Sequence, residues 1–400
     1  MTNVPDAIAA GTQPLVAASE RPVGAVASAR LAAIDMLRGV AMLLMALDHW
    51  APFARIELVA ESYGGVRPTL GNAGQIFIGL ITNLSSGIFF MFAGTSIAFF
   101  ERSRRKRGWT EWHITRFLLI RAALILVLDQ VVNRFGYSIK DYFLFEVLSA
   151  IAFNLAVLAI ARLLPLRVIA VSAVALFLGY PLLVMLFPHD PQNPLSTLTT
   201  ILFQYQRDSA PYVQNPFIAR LSLVFGGYVV GRLLDSGKIT ISVRWLWVAL
   251  AIFVAWLVLR LGLLQGYGDY LPYEPGAPWI NLLVDNKQPP SLTFLLFNLS
   301  VSLMLLVGLN AFAGRIARSG IGWVLTVLGQ TSLFFFVAHL LFYRVLEHIF
   351  RGRPIIAPEW VGNSDILRLM IECTLIMAIM VPVCAVYRRL RRKYSILSYL

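Results

Sequence analysis

The first long apolar run of the chain carries four ionisable residues in two pairs, Asp35 with Arg38 and Asp48 with His49. A charged side chain within a hydrocarbon-length run costs about 2.5–3.5 kcal/mol on insertion scales, so each is a functional candidate by default. On a helix, the eleven residues from Arg38 to His49 make three turns plus about 20°, which places both on one face roughly 16 Å apart. Asp35, one turn before Arg38, lies close to the same stripe. One face therefore offers an acid–cation pair at one end and an imidazole at the other. Imidazole takes and returns a proton near neutral pH, as a general base must. Asp48 and His49 diverge by about 100° on a helix, so Asp48 supports His49 through its field rather than through a direct bond. A second imidazole, His339, follows the run Phe334-Phe335-Phe336-Val337-Ala338 and falls at a depth similar to that of His49. Two histidines at one depth could share a site. Interfacial pairing of Asp35 with Arg38, and packing of either histidine, are the bland alternatives.

The other histidines, His113, His189 and His348, sit at helix ends or in a Pro-rich loop and read as structural. None has metal-ligand spacing, and there is no Gly-rich phosphate loop, so neither a metal site nor an ATP-driven pump is expected. Asn83, Ser85, Ser86, Asp129, Gln130, Glu146, Asn154 and Asn298 also fall in apolar runs. Asn and Ser there often bond between helices. Asp129 and Glu146 face a steeper penalty, and each could line a wet cavity or pair with a basic partner.

The elements that hold these groups follow from composition. Of 400 residues, 58% are apolar and 14% charged, against about 45–50% and 25% in soluble domains. Runs long enough for the bilayer core, about 20 residues each, fall near 31–53, 74–100, 114–132, 142–163, 167–187, 216–234, 244–264, 291–312, 321–347 and 366–387. The expected fold is an all-α polytopic membrane protein of about ten transmembrane helices. Residues 1–27 read as a flexible cytoplasmic tail, 28–390 as the membrane domain and 391–400 as a basic cytoplasmic tail. The net charge of +13 resides between the runs and not on a nucleic-acid face. With both termini cytoplasmic, the basic loop at 102–107 and the tail from Arg388 lie inside. The outer side then keeps only Arg55, Arg67, Arg134, Lys140, Arg207, Lys287, Arg351 and Arg353, in keeping with the excess of basic residues in cytoplasmic loops. Cys373 and Cys384 suggest packing. Three long outer segments, 52–73, 188–215 and 266–290, are functional candidates by length. The last carries Tyr267, Tyr270, Tyr273, Trp279, Asp269, Glu274 and Asp285, a mixture suited to a sugar or another polar acceptor.

Four segments in order resemble the heparan-alpha-glucosaminide N-acetyltransferase catalytic-domain family. They are Asp35-Met36-Leu37-Arg38-Gly39-Val40-Ala41 with Asp48-His49, Phe89 to Ser96 ending in Ala93-Gly94-Thr95-Ser96, Lys287-Gln288-Pro289-Pro290-Ser291-Leu292, and Gly329-Gln330-Thr331-Ser332-Leu333-Phe334 through His339. The resemblance implies transfer of an acyl group, most simply acetyl, from cytoplasmic acyl-CoA to an outward-facing sugar or amine. Acyl-CoA is then a co-substrate, with no permanently bound cofactor. On this reading His49, Asp48 and His339 are catalytic, Arg38 and Asp35 contact the donor, and Lys287 and Asn83 contact the acceptor. The bilayer, acyl-CoA and a glycan, amino-sugar or lipid-linked acceptor are the partners. A bacterial inner membrane is the expected location, and a homo-oligomer is compatible with the sequence. The animal member's reactive histidine lies in the loop after the first helix. The loop 52–73 has none here, so direct transfer with His49 as base is favoured over an acyl-histidine. Gln288 and Gln330 depart from the family's Tyr and Arg. A transporter or flippase for a lipid, sugar or acyl donor would use Asp129, Glu146 and Arg38 equally well. No internal repeat supports it.

Overall fold

The computed structural model describes residues 23–56, 58, 61–63, 73–139, 141–190, 192–263, 282–394 and 397. Tyr267, Tyr270, Tyr273, Trp279, Asp269, Glu274, Arg67 and Lys140 lie outside the described residues, as do residues 1–22 of the segment read as a tail. The chain is all-α, with four short strands among the described residues. The helices are α1 (Val23–Phe53), α2 (Ala73–Thr82), α3 (Leu84–Arg105), α4 (Glu111–Phe135), α5 (Val147–Ala161), α6 (Leu166–Leu186) and α7 (Pro194–Phe203). They continue with α8 (Leu221–Asp235), α9 (Arg244–Val258), α10 (Leu292–Ala311), α11 (Ala313–Ile316), α12 (Gly320–Gln330), α13 (Ser332–Phe350) and α14 (Asp365–Lys393).

Among the described residues, six helical spans are long and apolar enough to cross a membrane: Gly74–Arg105, Leu166–Leu186, Arg244–Leu261, Leu292–Ala311, Ser332–Phe350 and Asp365–Lys393. The protein is thus an integral, multi-pass membrane protein. The other runs expected to span are helical as well. Charge interrupts α1 and α4, while α5 and α8 have only 15 residues each. Two of the expected spans are broken. The run at 74–100 divides at Asn83 into α2 and α3, and the run at 321–347 divides at Thr331 into α12 and α13. At each break sits a buried polar side chain, Asn83 at 1% and Thr331 at 2% exposure. The run at 142–163 becomes helical only from Val147. Before it, strand β2 (Leu144–Phe145) pairs in parallel with β3 (Tyr212–Val213), and Glu146 caps the helix by accepting from the Val147 amide. The other two strands, Glu61–Tyr63 and Asp285–Gln288, also pair in parallel, joining the segments after α1 and before α10.

Helix α1 is central, packing on α3, α10, α12, α13 and α14. Close approach depends on small residues, as expected where lipid supplies no hydrophobic drive between helices. A Cβ on Gly39 would collide with the Leu325 carbonyl of α12, and one on Gly329 with the Asp35 carbonyl of α1. These two glycines press α1 and α12 together directly beside Arg38.

At the end of the bundle that carries the basic loop, Glu101 is 1% exposed and ties three helices. It accepts from Arg162 Nη1 at 3.1 Å and from the Tyr228 hydroxyl at 2.6 Å, and it pairs with Arg105 at 2.5 Å and Arg232 at 3.4 Å. Arg162 also reaches Glu111 at 2.6 Å. The hydrogen bond from Arg105, with that from Arg162, holds the Glu111 carboxyl below the usual carboxylate range. The basic loop is thus partly committed to structure. Breaking a buried ion pair costs about 3–5 kcal/mol. Glu101→Gln, which keeps the shape and removes the charge, is therefore expected to lower the thermal unfolding midpoint by several degrees. A Lys106→Gln control should not move it.

Candidate functional site

Arg38 and Ser332 meet at one level of α1 and α13, and the two histidines meet at another. The guanidinium of Arg38 donates to Ser332 Oγ at 2.5 Å and faces Asp35 at 3.9 Å. Asp35 is held in turn by Gln330, whose amide donates to it at 2.9 Å. The glutamine that departs from the family pattern therefore positions the Asp35–Arg38 pair.

Two turns along α13 from Ser332, His49 Nδ1 and His339 Nε2 lie 2.9 Å apart with nearly parallel rings. The protons can be assigned by accounting. His339 Nδ1 lies 2.7 Å from the Phe335 carbonyl, which can only accept, so Nδ1 carries the proton. In neutral His339, Nε2 is then an acceptor, and His49 Nδ1 must be the donor to it. That leaves the lone pair of His49 on Nε2, the atom a general base uses. His339 is fully buried and stacked on Phe335 at 4.8 Å, so the ring that orients His49 is itself fixed.

Asp48 points elsewhere. One carboxylate oxygen accepts from Thr82 at 3.1 Å and the other faces Lys287 Nζ at 3.4 Å. The structure brings Asp48, Lys287 and the α2–α3 break containing Asn83 to one place. The pair helps to dock the 285–288 strand onto α1. Further along that face, Arg220 is 1% exposed and donates to Asn215 at 2.8 Å and to the Lys287 carbonyl at 3.1 Å. Asn215 donates to Glu146 at 3.0 Å. Asp129 is engaged by Ser149 at 2.5 Å and by the Glu146 amide at 3.1 Å. The partners that these two acids require are thus polar groups of the same layer. Replacing Lys287 with Met should lower the unfolding midpoint, because Asp48 stays buried without its cation. The double variant Asp48→Asn/Lys287→Met should recover most of that loss in the same thermal assay.

At the level of Arg38 and Ser332 lies a narrow cavity of about 100 Å³. A water needs roughly 10–15 Å³ on this measure, so the space suits a thin chain and not a nucleotide. Arg38, Arg121, Ser96, Ser332 and Asn154 line it, with Phe89, Phe90 and Phe100. Neither histidine lines it: Phe89 of its wall packs on Phe336 at 6.2 Å, and Phe336 meets the His49 ring edge-on at 5.9 Å, so these two rings stand between the cavity and the histidine pair. Arg38 and Arg391 both act electrostatically on Arg121, which marks a concentration of positive charge. Asn154 is 1% exposed, and neither its Oδ1 nor its Nδ2 has a hydrogen-bond partner among the described residues. Sequence reasoning passed over Arg121, although its charge within an apolar run was the signal for it. It also treated Asn154 as inter-helix glue, because an amide's partners cannot be read from one chain segment.

The family profile for an acyltransferase domain matches residues 31–389, which takes in both histidines, the cavity and all four motif segments. The chain belongs to this acyltransferase family. The assignment to transmembrane acyltransferases drawn from those motifs therefore holds. No curated relative matches the chain. Within this acyltransferase domain, Lys287 and His339, far from α1 in the sequence, meet Asp48 and His49 on α1, which also carries Arg38.

Proposed function

We propose that this acyltransferase moves an acyl group, most simply acetyl, from acyl-CoA entering at the basic end to a sugar or amine acceptor at the opposite end. The observation that carries the reading is the narrow cavity lined by Arg38 and Arg121, with the unsatisfied amide of Asn154 in its wall and the Phe89 and Phe336 rings between it and the histidine pair. Burying both polar atoms of an amide without partners is costly. The pantetheine arm of CoA is thin and carries amides that would satisfy Asn154. Its phosphates match the guanidinium groups, and the ~16 Å from Arg38 to His49 suits its length.

In the reaction, the acceptor O–H or N–H gives its proton to His49 Nε2 as the heteroatom attacks the thioester carbonyl. The C–S bond then breaks, and the CoA thiolate recovers the proton from the His49 imidazolium. His339 holds His49 in the required tautomer, while Asp35 positions Arg38. Asp48, Lys287 and Asn83 shape the acceptor side. Ten transmembrane helices, within a membrane domain spanning 28–390, place both termini and the basic end in the cytoplasm of a bacterial inner membrane. The hydrogen-bonded histidine pair and the family membership favour this enzyme over a transporter.

The test is CoA release by the purified protein, given acetyl-CoA and a mixed pool of amino sugars and glycans. Acceptor-dependent release is expected. Tight acetyl-CoA binding without release, or no binding at all, would overturn the reading.

A further inference from the structure

Beyond His49, α1 and α13 meet a third time, at their C-terminal ends. Arg55, Arg344, His348 and Arg351 line an open pocket of about 520 Å³ there, with Glu347 as its one acid. Arg344 pairs with Glu347. The guanidinium groups of Arg55 and Arg351 have no hydrogen bond or ion pair among the described residues. Both arginines sit in left-handed backbone, with φ of 58° and 52°. Glycine would adopt that conformation without strain, and non-glycine residues held there tend to mark functional sites. The glycine comes next instead. Gly352 has φ +68°, and a Cβ on it would lie 2.5 Å from Arg55 Nη2, so its bare backbone admits the guanidinium. The turn is pinned from behind by Arg368, which donates to the Ala54 carbonyl at 3.3 Å.

The charge is also unexpected where it lies. On the proposed topology this end of the bundle has few basic residues, and several of those few converge on this pocket. Cations near helix C-termini are mildly favourable, but that effect does not require two of them in left-handed backbone around one cavity.

We propose that this pocket binds a phosphate-type anion, carried either by the acceptor or by a membrane lipid headgroup. The proposal deepens the acyltransferase reading and rests on it for the word acceptor. Arg344 follows His339 by five residues on α13, roughly 7–8 Å of helix rise, and Arg55 lies two residues past the end of α1. An anion held there would place a hydroxyl or amine about one or two sugar rings away beside His49.

The experiment measures binding of inorganic pyrophosphate to the full chain in nanodiscs of phosphatidylcholine, with excess CoA present to occupy phosphate contacts at the opposite end. Wild type should bind the probe. Arg55→Gln and Arg351→Gln should each weaken binding about tenfold, the loss of one charge-assisted hydrogen bond, and Arg55→Lys should retain part of it. Thermal unfolding of the same samples confirms that these exposed substitutions leave the fold intact. Equal binding by wild type and both Gln variants, or none by wild type, would overturn the proposal. Nanodiscs containing phosphatidylglycerol separate the sources. Lost pyrophosphate binding there assigns the site to a lipid headgroup, and retained binding assigns it to an anion on the acceptor. Binding needs no turnover, so a chain that binds the probe but releases no CoA would refute the acyltransferase reading alone.

Discussion

Replacing His49 with alanine is expected to lower acyl transfer by about 10³-fold, within the range that general-base catalysis contributes, with little change in KM for acetyl-CoA. The reason is geometric. His339 fixes the proton on His49 Nδ1, which leaves the Nε2 lone pair to act as the base, while the neighbouring Asp48 carboxylate is held by Thr82 and Lys287. His339→Ala should cost less, because His49 remains but its tautomer and orientation are released. His339→Gln should recover part of the loss, since its side-chain oxygen can accept from His49 Nδ1. Residues that act as a unit are not additive, so the double alanine variant should be no slower than His49→Ala alone. CoA release measured across this series decides the matter. Losses that multiply would mean that the two histidines work independently, and full activity in His49→Ala would remove it from the chemistry.

Arg38→Gln is expected to lower kcat/KM for acetyl-CoA by about 10²-fold, mostly through KM. Hydrogen bonds to charged groups contribute about 1.5–3 kcal/mol, and Arg38 stands where the cavity meets the cluster with Arg121 and Arg391. Arg38→Lys keeps the charge but loses the planar fork, so it should fall between. Acetyl-pantetheine lacks the nucleotide and its phosphates. If Arg38 binds phosphate, the variant and the wild type should use that donor almost equally. A penalty of the same size with both donors would instead make Arg38 a structural partner of Ser332 and Asp35. Thermal unfolding separates those cases, because a structural role lowers the midpoint and a donor contact does not.

Much of this was legible in the chain. The Arg38–His49 stripe follows from helix geometry alone, and α1 carries it as expected. The apolar runs mark the helices because backbone in lipid must satisfy its own hydrogen bonds. The breaks at Asn83 and Thr331 were not legible, since neither position carries proline and both fall inside continuous apolar runs. Asp48 shows the same limit. Its divergence from His49 was readable from the 100° step. Its commitment to Thr82 and Lys287 required the strand at 285–288 to be docked on α1.

The sequence by itself determined that this is a helical membrane protein, which residues carry intramembrane charge, and which of them share a face of α1. Those are consequences of period and burial within one segment. Only the tertiary structure decided that His339 meets His49, that Asn154 lines the cavity beside Arg38, and that Arg55 and Arg351 converge on one pocket. In a bilayer every apolar helix face is equally content against lipid or against another helix. The choice of neighbours rests on close backbone approach at glycines such as Gly39 and Gly329 and on a few buried polar contacts, which exist only once distant segments are packed together.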